Sequence, residues 1–127
     1  GNEFQPETAP LPGETVIEKR VNSAFIGTAL ESDLRDAGWL GVVIVGLTTN
    51  HCVSTTARMA GNLDFSTWVV SDATAAFDRV GPDGAEHPAE QVHAMALSDL
   101  HGEFATVVDT ATVIEGLKSF ASSRRAS

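Results

Sequence analysis

The sequence predicts an α/β domain with a mostly parallel sheet, and three observations carry that expectation. Apolar runs of strand length, TVIEKR, GVVIVGL, FSTWVVS and ATVVD, alternate with segments of helical periodicity in the order β-α-β-α-β-α-β-α. Such alternation favours parallel strands joined by right-handed helical crossovers. Gly41 to Leu47 (GVVIVGL) is continuously apolar and β-branched, the pattern of a strand buried on both faces of a parallel sheet. With 127 residues, 43% of them hydrophobic, the chain fits one domain with a core of its own, expected over residues 1–121.

Each element has a local reason. Pro6, Pro10 and Pro12 make the first fourteen residues an extended lead-in. Thr15 to Arg20 then reads as a short strand, and SAFIGT leads to a helix. Thr28 and Glu31 form a capping-box pair there, Leu30, Leu34 and Ala37 share a face, and Gly38 supplies a left-handed C-terminal residue. After the turn Thr48-Thr49-Asn50 a helix is expected from His51 to Asn62, with Val53, Thr56, Ala57 and Ala60 inward. Phe65 to Ser71 reads as a buried strand, and Gly81-Pro82-Asp83-Gly84 as part of a loop. Val92, Ala96 and Leu100 fall at i, i+4 and i+8 of a helix over Ala89–Leu100. Ala105–Asp109 is the last strand and Thr112–Phe120 the last helix, with residues 122–127 a disordered tail.

Charge and composition narrow the function. Eight Lys and Arg against seventeen Asp and Glu give a net charge of -9, and basic residues cluster only at Lys19-Arg20 and Arg124-Arg125. Nucleic acid and anionic membranes are therefore not expected as partners. No apolar stretch approaches the roughly 20 residues of a membrane span, and a lone cysteine, Cys52, suits a reducing compartment, so a cytoplasmic location is expected. No Gly-rich phosphate loop follows a strand, and no cofactor is expected. His87, His93 and His101, six and eight apart, do not fit the i, i+4 pairing of helical metal ligands, so no metal is expected either.

Ligands of open parallel sheets bind beyond the carboxyl ends of the strands. Cys52 sits at such a place, just after GVVIVGL and the turn TTN, in the first turn of the next helix. Free N–H groups and the helix dipole favour a thiolate there and can hold the oxyanion formed when it attacks a carbonyl. The alternative is a small buried hydrophobe, the commonest role of a lone cysteine.

The segments GLTTNHCVSTTARMAGNLDF and VVSDATAAFDR, with EKRVNSAFIGTALESDLRDAGW upstream, resemble the isochorismatase-like cysteine hydrolase family over roughly residues 1–114. The resemblance implies a three-layer α/β/α sandwich, a Cys, Asp and Lys triad, and amide or ureido C–N bonds as substrates. Cys52 matches the nucleophile and Lys19 the triad lysine, expected to steady negative charge. Leu47-Thr48 matches a cis peptide that turns the Thr48 N–H toward the oxyanion beside the Cys52 N–H. Phe25, Leu47 and His51 are candidate pocket walls, Phe25 and His51 with packing or exposure as their alternatives, and Asp72 is read as a hydrogen-bond acceptor holding a loop. Asp64 replaces a usual Gly and should adopt a left-handed backbone. A branch that cleaves a vinyl ether lacks the cysteine, so Cys52 argues against that chemistry.

The family's general-base aspartate has no counterpart upstream of Lys19, where only Glu3, Glu7, Glu14 and Glu18 are acidic. The chain is therefore expected to be the C-terminal two thirds of the domain, its strands matching the third to sixth of six, and to be inactive alone. The edge of GVVIVGL would then lie open, a hazard that stable proteins cover. A homo-oligomer is expected, together with an N-terminal segment supplied as a separate fragment or as further residues. Two functions follow: hydrolysis of a small amide or ureido compound through a Cys52 thioester, or a catalytically silent binding and assembly module.

Overall fold

The computed structural model describes residues 3–126, with side chains described through 124. In chain order the elements are α1 (Leu30–Asp36), β1 (Gly41–Leu47), a π-type turn (Thr49–Val53), α2 (Ser54–Asn62), β2 (Ser66–Ala75), the two-residue strands β3 (Arg79–Val80) and β4 (Glu86–His87), α3 (Ala89–Leu100), β5 (Thr106–Val108) and α4 (Thr110–Ala126). A 3-10 turn at Pro6–Thr8 and a second turn, in which the Glu14 N–H donates to the Leu11 carbonyl (3.0 Å) and Gly13 is left-handed, interrupt the otherwise extended lead-in.

The main sheet has the order β1-β2-β5, all parallel, with helical crossovers, as the alternation predicts. Its register is regular from Gly41 opposite Ser66 to Ile44 opposite Val69, then shifts so that Gly46 lies opposite Thr74. The extra residues form a bulge in β2 around Ser71 and Asp72, spanned by a hydrogen bond from Thr74 Oγ1 to the Val70 carbonyl (2.9 Å). Ladder pairing with β5 ends at Val70 opposite Val108. Both ladders thus release the chain next to the turn that carries Cys52, and bulges re-aim side chains in this way beside functional sites.

The core is small and lies between β2 and the helices α2 and α3. Val53, Ala57, Val69, Leu100 and Ala105 are buried together, with Ile44, Leu97 and Phe104 packed against them. Gly61 allows this closeness: a Cβ there would lie 2.7 Å from the Phe104 carbonyl oxygen. Helix α3 matches its expected bounds, and Asp78 Oδ1 accepts the Ala89 N–H (2.8 Å) at its start. Helix α1 ends as the sequence predicts. Gly38 is left-handed (φ 75°), and the Gly38 and Trp39 amides close back on Arg35 and Leu34 as a Schellman motif. Asp64 is also left-handed, at φ 67°.

Several local expectations are corrected. Thr15–Arg20 is irregular, because no strand among the described residues lies beside it and an unpaired strand has nowhere to place its backbone hydrogen bonds. Gly41–Leu47 is a strand, yet it is mostly exposed, since it is the sheet edge and carries Val45 at 58% and Leu47 at 62% exposure. The capping box does not form: Thr28 Oγ1 donates to the Ala24 carbonyl, while Glu31 pairs with Arg35 (2.9 Å). The expected helix from His51 opens with the π-type turn, and α2 proper begins at Ser54. Strand β2 runs on to Ala75, and the expected loop after it holds the β3–β4 ribbon, closed by Gly84 N–H to the Gly81 carbonyl (2.9 Å). The last strand is shorter than expected, and α4 extends to Ala126 where a disordered tail was expected. Ser127, the last residue of that tail, lies outside the described residues.

Candidate active site

The turn after β1 is built around one carbonyl. The Leu47–Thr48 peptide is cis, and the Thr48 carbonyl accepts N–H bonds from His51 (3.1 Å) and Val53 (3.2 Å). Thr49 and Val53 point into the protein, which leaves Cys52 half-buried at the lip of the turn, immediately before α2. Few orphan amides are better placed to meet an anion than those of a helix start.

Lys19 reaches this thiol through a lash between the SAF loop and α2. The Thr56 hydroxyl accepts the Ala24 N–H (3.0 Å) and donates to the Asn22 carbonyl (3.5 Å), and buried Ser23 accepts the Phe25 N–H (3.1 Å). Thr56 stands one helical turn beyond Cys52, so the lash sets the distance between the loop and the Cys52 thiol. Lys19 Nζ then donates to Cys52 Sγ at 3.2 Å and to the Val21 carbonyl at 3.0 Å. An ammonium held this way stabilises negative charge on sulfur. Two residues 33 positions apart, on elements of different kinds, meet at one point.

The remaining expected residues divide. Leu47 closes β1 beside the turn. His51 is exposed, with Nδ1 3.3 Å from Thr48 Oγ1 and Nε2 3.4 Å from Asn50 Nδ2. Phe25 takes its packing role, with its ring stacked on buried Phe65 at 5.8 Å. Asp72 accepts both the Thr110 N–H (2.8 Å) and its hydroxyl (2.7 Å), anchoring the start of α4. Those two bonds hold the Asp72 carboxyl below its ordinary value, and the Thr112 hydroxyl and N–H do the same for Asp109. A cavity of about 810 Å³ lined by Val16, Lys19, Val21 and Ile26 opens beside the lysine, and Cys52 is not among its walls.

The histidines are dispersed. His101 Nδ1 accepts the Val107 N–H (3.0 Å), His87 pairs in the β3–β4 ribbon, and His93 bridges Thr49 and Ser71. Among the described residues no group of three or more His, Cys, Asp or Glu is gathered to hold a metal ion, and no helix is long and apolar enough to cross a membrane. Sequence reasoning weighed His93 only as a metal ligand, placed Thr49 only in the turn, and read Thr56 only as an inward-facing helix residue. A signal existed for His93, which flanks the Val92, Ala96, Leu100 stripe, where a half-buried imidazole needs partners.

The Isochorismatase domain profile matches residues 1–112. The chain is 50% identical over 105 residues to the uncharacterized isochorismatase family protein YrdC of Bacillus subtilis, which covers 83% of this chain and 56% of that protein. It is 36% identical over 83 residues to the ureidoacrylate amidohydrolase RutB of Stutzerimonas stutzeri, covering 65% of this chain and 32% of that protein. Among solved structures, an isochorismatase-family protein from Chromobacterium violaceum superposes with a TM-score of 0.89 at 46% identity, over 91% of this chain and 60% of the other. A cysteine hydrolase from Pseudomonas syringae pv. phaseolicola superposes with a TM-score of 0.88 at 29% identity, over 92% of this chain and 55% of the other. The chain thus spans little more than half the length of the YrdC relative. With the turn, the parallel sheet and these matches in agreement, the chain belongs to the isochorismatase domain family.

Proposed function

We propose that the chain carries the nucleophile and the lysine of a cysteine hydrolase that cleaves a C–N bond of a small amide or ureido compound. The observation that carries this reading is the 3.2 Å contact between Lys19 Nζ and Cys52 Sγ. Cys52 attacks the carbonyl carbon, and the oxyanion is received by the Thr48 and Cys52 N–H groups. The C–N bond then breaks, the nitrogen leaves as ammonia or an amine with the proton that the thiol gave up, and water hydrolyses the thioester to the acid. Lys19 steadies negative charge at sulfur. Leu47 and His51, beside the turn, wall the substrate, and Phe25 is assigned to the wall more weakly, since its ring packs on Phe65. The amidohydrolase name of the RutB relative and the cysteine hydrolase among the structural neighbours support this bond class. No cofactor enters the reaction.

The proton shuttle is the missing part. We assign it to an aspartate outside these residues, on a segment that also covers the open edge of β1 and closes the cavity beside Lys19. The chain alone is then inactive, and a second copy joins the assembly through the apolar surface that remains. A cytoplasmic location suits the single thiol. The competing reading, a silent binding module, is favoured by the same absence of a base.

The deciding experiment measures ammonia release over a panel of small amides and ureido compounds, with the chain alone and with the N-terminal part of a family relative supplied in trans. Turnover is expected only in the second case, falling about 10³-fold or more in Cys52→Ala. Iodoacetamide should alkylate Cys52 at pH 7 faster than a model thiol, and Lys19→Ala should slow that step roughly tenfold. No turnover in any combination, with alkylation at the model rate, would leave the binding module as the answer.

A further inference from the structure

We infer that His93 is a positioning residue for the Cys52 turn, acting as a clamp between Thr49 and the β2 bulge; this rests on the hydrolase reading above. Thr49 lies between the Thr48 amide and Cys52, and it is fully buried (0% exposed). Its hydroxyl must find a partner there, and it finds His93 Nδ1 at 2.7 Å. The other ring nitrogen, Nε2, is 3.0 Å from the Ser71 carbonyl. Ser71 follows the last β2–β5 ladder pair and lies inside the β1–β2 register shift. Its carbonyl therefore takes its hydrogen bond from a side chain of α3.

The proton positions follow from the partners. A carbonyl only accepts, so Nε2 carries the hydrogen; in the Nε2–H tautomer Nδ1 is the acceptor and the Thr49 hydroxyl donates to it. With both nitrogens occupied, the ring is a strut of fixed length between the turn after β1 and the end of β2. An apolar residue of similar size would fill the same space without setting that distance. The Ser71 Oγ bond to the Val108 carbonyl (3.2 Å) continues the brace to β5, so the carboxyl ends of all three strands of the sheet are tied at the level of the nucleophile. Through Thr49, His93 fixes where the Thr48 and Cys52 amides stand relative to the rest of the sheet. It need not touch substrate to do so.

The test reads the turn itself, without substrate. Long-range ¹⁵N–¹H spectra of the folded chain should show His93 as the Nε2–H tautomer. In His93→Leu, amide hydrogen exchange over residues 49–53 should accelerate about tenfold, the size expected for losing the one buried hydrogen bond, from Thr49, that ties the turn to the ring. In His93→Gln, whose amide offers a donor and an acceptor, exchange should return to within about threefold of wild type by the same measure. Cys52 alkylation should change in the leucine variant and recover in the glutamine one. The double variant Thr49→Val with His93→Leu should exchange no faster than His93→Leu alone, because Thr49→Val removes only the Thr49–His93 bond that His93→Leu has already broken. If His93→Leu does not fold, Thr49→Val keeps the ring and the core shape and must show the same acceleration. Unchanged exchange in a folded variant, a glutamine variant that behaves like leucine, or an Nδ1–H tautomer would overturn the clamp. Failure of the hydrolase reading looks different: no ammonia is released while the exchange pattern still holds.

Discussion

The part of the molecule formed by α2, β2, α3 and β5 buries Val53, Ala57, Val69, Leu100 and Ala105 as one cluster. The part formed by residues 11–27 and β1 leaves Leu11, Val16, Val21, Ile26, Val43, Val45 and Leu47 between 48% and 67% exposed. The two proposed catalytic side chains fall on opposite sides of this divide. Cys52 stands on the closed part, where turn, helix and bulge hold it from several directions. Lys19 stands on the open part, held by its own loop and by the Thr56 lash. The Cys52 thiol is thus placed by the packed part of this chain, whereas Lys19 is placed by an exposed loop.

The largest way to break the contrast is in the closed part. Leu100 is fully buried against Ala57, Val69 and Ala105, so Leu100→Ala should cost about 2–5 kcal/mol by urea unfolding. Gly61→Ala should cost about 1–3 kcal/mol, because the new methyl meets the Phe104 backbone, which cannot step aside as a side chain could. Val45→Ala on the open edge should stay within about 0.5 kcal/mol in the chain alone. The same substitution should become several times more costly once a covering segment is bound. Equal costs for Leu100→Ala and Val45→Ala in the chain alone would erase the distinction between the two parts.

The same divide explains what could be read in the sequence. Helix α3, the strand at Gly41–Leu47 and the left-handed Gly38 and Asp64 are specified by neighbours within a few residues, and periodicity or turn chemistry exposes them. The pairing of Lys19 with Cys52 was legible through resemblance to a family, since no local pattern connects residues 33 positions apart. TVIEKR shows the limit: its alternation is that of a strand, but a strand is a relation between two segments, and no second strand stands beside it among the described residues. The clamp by His93 was hidden for a related reason. It depends on a register shift in β2, and register is set by tertiary contacts that one-dimensional patterns do not contain.

The smallest expected effect lies where the closed part meets α4. Asp72, at the β2 bulge, accepts two hydrogen bonds from Thr110, and Asp109 accepts the Thr112 N–H; both carboxyls are held below their ordinary value of 3.8. A carboxylate whose folded-state value is depressed binds fewer protons folded than unfolded in the acid range. Its contribution is therefore fully present above the unfolded value of about 3.9 and is lost as pH falls through the lower folded value. Both groups are solvent-exposed, so the effect is modest, and it should appear as a steeper loss of stability in acid than the rest of the chain gives. Asp72→Asn removes that titration and keeps an acceptor oxygen for Thr110. Its unfolding free energy should lie slightly below wild type at neutral pH and converge with it as pH falls below about 4. Parallel curves down to pH about 2 would mean that the anchor of α4 does not depend on the charge of Asp72.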